Sequence, residues 1–315
     1  MASTPSSGAA EGELHQRFLD EAPVGWKKLE ELSLNLHVIY KLRSDASSEG
    51  PAEPEEGQSE IKIRGDQKLV HHIGAAIEKV GVTTPQYSFG VNRNSSQDDW
   101  AVMYIGRPRD EFDWEIEETV NANASLLYAL KGIPLSELVE LPDVTLTSVT
   151  EANDEATGRS SVRVDYSCDN GELNFPTGKA PVKGGWFVLN PDQYWAVSEA
   201  GVQLPDATWR ILVHGSVDDE GRPVVDTNEE IAEYNKGPNS GKKSSVAYEF
   251  ASYEYKVVPE ADFLPGTYGL PNPALVDTDQ SSSRVWLILF GNVVILLGVA
   301  MYWYHRRSTK SSDSD

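Results

Sequence analysis

Cysteine is nearly missing from this chain. Cys168 stands alone among 315 residues, so no disulfide can form within it. It lies in the strand-like run SSVRVDYSC without the His and Asn setting of a thiol nucleophile, and reads as a small packing residue. No Gly-x-Ser-x-Gly, phosphate-binding Gly-rich loop, His-Glu-x-x-His or Cys-x-x-Cys occurs, which removes the commonest catalytic signatures. Basic residues are scarce too. Lys and Arg number 27 against 49 Asp and Glu, and residues 1–283 carry a net charge of −24. So acidic a globule repels phosphate backbones, and nucleic acid is excluded as a partner.

Long apolar runs are absent with one exception, Val285 to Tyr304, reading VWLILFGNVVILLGVAMYWY. Its twenty uncharged residues would span about 30 Å as a helix, the thickness of a bilayer core. Trp286 at one end and Tyr302, Trp303 and Tyr304 at the other are placed as interfacial anchors, with Arg306 and Arg307 beyond them. The sequence thus predicts a single-pass C-terminal transmembrane helix over 285–304 and a basic-flanked tail over 305–315. Gly291 and Gly298 fall on one helical face beside Asn292 and are candidates for a helix–helix contact. The positive-inside rule puts the tail in the cytoplasm and the large domain outside a bacterial inner membrane. The first thirty residues hold no apolar signal core, so the alternative is a tail-anchored chain with its domain in the cytoplasm.

Residues 1–11 read as a disordered arm and 12–264 as one soluble domain, with 265–284 as a Pro-, Gly- and Ser-rich linker. Leu14, Phe18 and Leu19, then Trp26, Leu29 and Leu32, predict one amphipathic helix broken at Pro23 or two short ones. SLNLHVIYKLR alternates strictly apart from Ile39 and predicts a strand with one wet face carrying a solvated His37. Residues 44–60 form an acidic loop without calcium-loop spacing. EIKIRGDQKLVHHI predicts a hairpin or a bulged strand turning at Gly65-Asp66, whose adjacent His71 and His72 face opposite ways and cannot share a metal ion. GAAIEKVG suits one or two helical turns, and PQYSFGVNRN with DDWAVMYIG a hairpin. Ile116, Val120, Ala124, Leu127 and Leu130 predict a helix over Asp113–Gly132, capped by Gly132, and a shorter one before Pro142.

After Pro142 the chain is a succession of short strands bounded by turn residues, which requires antiparallel pairing. The expected fold is α+β, a strongly curved antiparallel half-barrel of about nine to eleven strands with helices on one face. Trp186, Trp195, Trp209, Tyr248 and Phe250 fall in this half and are candidate contacts for an apolar ligand. Neither a cofactor nor a metal set is indicated.

YALKGIPLSELVELPDVTLTSV, GGWFVLNPDQYWAV and EADFLPGTYGLPNP, followed by one span with a basic flank, resemble a group of C-terminally anchored planctomycete proteins. More distantly, a helix layer followed by many antiparallel strands resembles the LolA-like superfamily, whose half-barrel serves a periplasmic lipoprotein carrier and a sigma-factor regulator. One anchor beside an aromatic-rich sheet, without a catalytic constellation, points to a non-enzymatic, membrane-tethered domain that binds an apolar ligand or a protein partner at the membrane surface. A single-pass sensor acting through oligomerisation or proteolysis, and a hydrolase using scattered carboxylates, are the alternatives.

Overall fold

The structure, a computed structural model, describes residues 7–43, 57–108, 110–153, 160–175 and 178–271. The 285–304 stretch with Trp286, Gly291, Asn292, Gly298, Tyr302, Trp303, Tyr304, Arg306 and Arg307, and residues 44–56 of the acidic loop, lie outside these. Among the described residues no helix is long and apolar enough to cross a membrane. Contacts divide the chain into 1–269 and 270–315, and every described helix and strand belongs to the first unit.

The unit is mostly β. Helix α1 (Ser7–Ser33) leads into β1 (Asn35–Arg43), β2 (Gln58–Arg64), β3 (Gln67–Ile73), β4 (Glu78–Thr83), β5 (Ser88–Arg93) and β6 (Ala101–Gly106). Helix α2 (Asp110–Asn123), the small hairpin β7 (Ala129–Leu130) and β8 (Ile133–Pro134), and α3 (Leu135–Leu138) follow. Next come β9 (Val144–Asn153), β10 (Ser160–Cys168), the hairpin β11 (Glu172–Phe175) and β12 (Gly178–Pro181), and β13 (Gly184–Asn190). The series closes with β14 (Ala196–Gln203), β15 (Ala207–Val217), β16 (Pro223–Tyr234) and β17 (Lys243–Tyr255). Thirteen strands form one sheet in the order β6-β5-β4-β3-β2-β1-β17-β16-β15-β14-β13-β10-β9. Every neighbouring pair in it is antiparallel. The count exceeds the nine to eleven expected because residues 58–106 alone supply five strands. Glu78–Thr83 is one of them, overlapping residues 74–81 where one or two helical turns were expected; its β-branched Val80, Val82 and Thr83 pack between β3 and β5.

Two faces of the sheet are buried for different reasons. On one, Leu36, Val38, Tyr40, Ile61, Ile63, Val164, Phe187, Val202, Ile211 and Phe250 share a core with Phe18, Trp26 and Leu29 of α1 and Ile116 and Val120 of α2. Pro23 lies inside α1 without ending it. The ring removes the bond to the Leu19 carbonyl, and burial of Phe18, Ala22, Trp26 and Leu29 offsets that loss. On the opposite face Leu69, Val80, Val82, Phe89 and Val91 form a second apolar patch under the turns Glu260–Phe263 and Pro265–Tyr268. Phe263 is wholly buried there, and the Tyr268 ring lies 5.5 Å from Phe89 and 5.6 Å from Trp100. Residues 265–268 therefore belong to the domain rather than to a linker, and α1 likewise begins inside the stretch expected as an arm.

The apolar period that predicted a helix to Gly132 outruns it. α2 ends at Asn123; Tyr128 and Ala129 donate to the Ser125 carbonyl in a turn, and Leu127 and Leu130 enter the core from the turn and β7. Gly132, with φ 81°, is the second loop residue of the β7–β8 hairpin, not a helix cap.

Helix α1 is fitted to the Tyr194-Trp195 turn by Gly25. A Cβ there would lie 2.5 Å from the Tyr194 carbonyl oxygen, and Trp26 Nε1 donates to the Trp195 carbonyl at 2.9 Å. Gly25→Ala gains about 1 kcal/mol of helix propensity but forces backbone apart at a cost of up to about 3 kcal/mol. A net loss of about 1–2 kcal/mol is expected, seen as a lower urea midpoint at unchanged slope.

Candidate functional site

Register decides which of the five aromatic candidates meet. Tyr248 stands opposite Leu42 and Asn228, and Phe250 opposite Tyr40, all on the helix face. Trp209, opposite Ala232 and Val202, lies on the same face further along β15. Tyr40 joins Tyr248 and Phe250 at ring separations of 5.8 and 5.6 Å. Trp186 instead projects from the other face, where its Nε1 donates to Glu199 at 2.7 Å and Arg163 lies 5.0 Å from its ring. Trp195 is buried in the α1 contact against Phe18. Three of the five thus share a surface, and Tyr40 completes it.

That surface is half open. Leu42 is 40% and Val246 37% exposed, unusual for apolar side chains on the core side of a sheet. Polar groups interrupt its floor. Asn228 has no exposure, and neither atom of its amide has a hydrogen-bond partner among the described residues. Two residues along β16, Glu230 receives Lys131 Nζ at 2.5 Å, and the same ammonium sits 3.4 Å from the Trp209 ring centroid. Lys131 reaches this position by taking φ 49° in the β7–β8 turn, where Asn, Asp or Gly is the ordinary occupant. Burial lowers the Lys131 pKa against the opposing pull of Glu230. Burial, reinforced by the Glu230 charge and by Tyr40, pushes Tyr248 up to about 12. The amide, the ion pair and the left-handed lysine were not legible in the sequence. Asn228 sits at an ordinary inward strand position, and its lack of partners shows only once the neighbouring strands are in place.

A cleft of about 360 Å³ lies elsewhere, between β8–α3 and the β11–β12 hairpin. Ile133, Pro134, Leu141, Leu173 and Phe175 line it together with the carboxylates of Glu137, Asp143 and Glu172. Those carboxylates make no ion pair among the described residues, so the cleft suits cationic rather than acyl groups. Cys168 adjoins it, donating to the Glu172 carbonyl at 3.2 Å, and burial pushes its thiol pKa up, away from nucleophilic character.

A third cluster occupies the opposite face. Glu60 accepts from His37 at 2.6 Å, Lys62 at 3.1 Å and His71 at 3.4 Å. His71 also meets Glu78 at 2.8 Å, and Glu78 holds Arg93 at 2.6 and 2.9 Å, with the guanidinium 4.3 Å from the Trp100 ring centroid. Lys62 reaches on to Asp262 at 3.0 Å, and Arg64 to Glu260 at 3.3 Å. The cluster therefore clasps the Glu260–Phe263 turn to β2. His37, expected to be solvated, is a member of it. His71 belongs to it, while His72 faces the other way and meets Ser59 at 3.1 Å. Among the described residues no group of three or more His, Cys, Asp or Glu is arranged to hold a metal ion. Burial works against the charge on Glu60, but hydrogen bonds from His37, His71 and Lys62 outweigh it and hold the carboxyl far below its usual range. His71 is raised, since Glu60 and Glu78 outweigh its burial.

No protein-family model matches the chain, and no curated protein matches it. Among solved structures, a DUF1329 family protein from Desulfovibrio piger is 9% identical, with 78% of this chain and 97% of that chain covered at a TM-score of 0.39. LprF from Mycobacterium bovis is 12% identical over 81% and 97%, at 0.28. The Pseudomonas aeruginosa MucA/MucB complex is 10% identical over 75% and 99%, at 0.16. These are distant structural likenesses, too loose to set a fold family or a function.

The two clusters give two expected outcomes. An orphaned buried amide costs about 1–3 kcal/mol, so Asn228→Leu should stabilise the unliganded protein by about 1–2 kcal/mol in urea denaturation. A loss instead would show that Asn228 is a structural hydrogen-bonding residue. The raised pKa of His71 contributes stability that is complete below its ordinary value, about 6.5, and lost as pH rises through the folded value. His71→Gln should therefore flatten the decline of the unfolding midpoint above about pH 6.5, with little change in shape at lower pH.

Proposed function

We propose that the domain is a binding module rather than an enzyme, and that it holds an apolar chain bearing an uncharged, hydrogen-bonding head. The observation that carries this reading is Asn228, a buried amide with a free donor and a free acceptor set in an aromatic and aliphatic floor. Tyr40, Tyr248, Phe250 and Trp209 supply wide, stiff apolar contact with little rotamer entropy to lose, and Leu42 and Val246 give the open side. Lys131 is neutralised by Glu230, so a carboxylate head finds no unpaired cation there and meets an acidic domain. Asn228 is covered in the unliganded domain, so the side chains over it must part; an amide or hydroxyl head can then exchange both hydrogen bonds with it and meets no charge penalty. The floor has groups to hold a ligand and no nucleophile–base pair to attack one.

Such a module acting at a membrane surface fits the sequence, because 285–304 would tether it to the bilayer, with the domain on the outer side of an inner membrane. The tether makes the lipid phase a local reservoir of amphiphiles. A stretch binding lipid on its own complicates the test, so the decisive measurement is differential. Stearamide brominated at mid-chain, added to the full chain in detergent, should quench tryptophan fluorescence. Trp209→Phe should remove much of that quenching, and Asn228→Leu should weaken the apparent affinity about tenfold, the effect of one lost buried hydrogen-bonding group. Quenching that is unchanged in both variants, or equal for brominated stearate, would refute the site.

A further inference from the structure

The sheet ends at β6, and that edge is unusual. Among the described residues β6 pairs only with β5, so its outer side has no strand laddered to it. Soluble sheets guard such edges with charge, proline or a covering segment. β6 reads Ala101-Val102-Met103-Tyr104-Ile105-Gly106 and has no charged residue and no proline. Val102 is 52% and Met103 48% exposed. At the other end of the sheet, β9 lies against α1.

Charge appears only at the two ends of the strand, with opposite sign. Asp98 and Asp99 precede it and Arg107 follows, all exposed. Neither Asp99 nor Arg107 makes an ion pair among the described residues. We infer that β6 is a self-association edge on which a second copy of this chain pairs antiparallel, extending the sheet across a two-fold axis. Only the antiparallel arrangement sets Asp99 of one copy beside Arg107 of the other, and symmetry then forms the pair twice. A parallel arrangement would align Asp with Asp and Arg with Arg. Residues 99 and 107 are equidistant from 103, so Met103 of each copy falls at the axis.

The register shift between Gly90 and Val91 makes Met103 a bulge in β6. Bulges usually blunt an edge by over-twisting it. On a two-fold axis the two bulges face one another, so neither copy is out of step with its partner. The net charge of −22 opposes association in general. At physiological ionic strength that repulsion is screened beyond about 8 Å, while pairs in contact are screened less. A six-residue edge buries little area, and the dimer is weak and reversible.

The test uses the full chain in detergent, by sedimentation over a concentration series. Asp99→Arg and Arg107→Asp should each weaken dimerisation about tenfold, since each turns two attractive contacts into repulsive ones. The double reversal should restore it. Circular dichroism would confirm that these surface variants stay folded. A monomer at every concentration, or a dimer indifferent to the single reversals, overturns the proposal. The second outcome would assign association to another surface. A covalent probe reads the axis directly. Met103→Cys should oxidise to a cross-linked dimer faster than Val257→Cys, which is more exposed but lies outside β6. Equal rates would mean chance collision and overturn the proposal too.

Discussion

The ladder between β1 and β17 is the constraint on which this domain rests. β1 to β6 form one meander and β9 to β17 another, each built almost wholly from neighbours in sequence. Only the pairing of Leu36 with Tyr255, Val38 with Tyr253 and Tyr40 with Phe250 makes them one sheet. The contact joins strands more than two hundred residues apart, so it carries a loop-closure cost that the local hairpins do not. Its reward is the core beneath it. Leu36, Val38, Tyr253 and Phe250 are buried under the helix layer, and Tyr253 donates to the Ala124 carbonyl beyond α2 at 2.9 Å. The other side of β1 contributes His37 to the clasp on Glu60. One strand thus fixes both faces.

Much of this was legible. Strict alternation in SLNLHVIYKLR located β1 and the face it buries, and turn residues bounded the strands after Pro142. Antiparallel pairing followed from the lack of crossover helices. What failed did so for identifiable reasons. Leu127 and Leu130 continue the period of α2, because a turn and a hairpin can present core residues at helical spacing by coincidence. Residues 58–106 alternate apolar and polar only in part, because β3 to β5 bury Leu69, Val80, Val82, Phe89 and Val91 on the face away from the helices. A sheet with cores on opposite sides in different regions breaks the assumption of one wet face. Sequence near 265, rich in Pro and Gly, looks like linker by composition, yet Phe263 and Tyr268 hold it down.

The candidate site was the least legible part. Aromatic content named Trp186, Trp195, Trp209, Tyr248 and Phe250 together and could not tell which of them share a surface. Separating them takes register: Trp186 pairs with Asp165 and Gly201 on the far face, and Trp195 lies in a left-handed turn against α1. Asn228 is invisible without the fold, since an inward asparagine on one strand is unremarkable until its neighbours prove to offer it nothing.

Departures from local rules occur at several places in this domain. Among them are the left-handed Tyr194-Trp195 turn and atoms of His37, Asn123 and Tyr166 unpartnered among the described residues, and three of different kinds meet around β16. A sequence specifies its fold when propensity, pattern, turn chemistry and polar satisfaction agree, and natural chains give up that agreement mainly where function requires it. Here a lysine takes a turn position that favours asparagine or glycine, a carboxylate occupies an inward row between Ile211 and Val246, and an amide is buried unpaired. These three share one stretch of β16 and the hairpin above it. The acid–histidine cluster on the opposite face differs in kind: it is mostly satisfied, with Glu60 held from three sides and Lys62 bridging two carboxylates. A satisfied network clasps a segment in place. An unsatisfied one in an apolar floor keeps unused hydrogen-bonding capacity, and on the proposed reading binding falls to the helix face and fastening to the other.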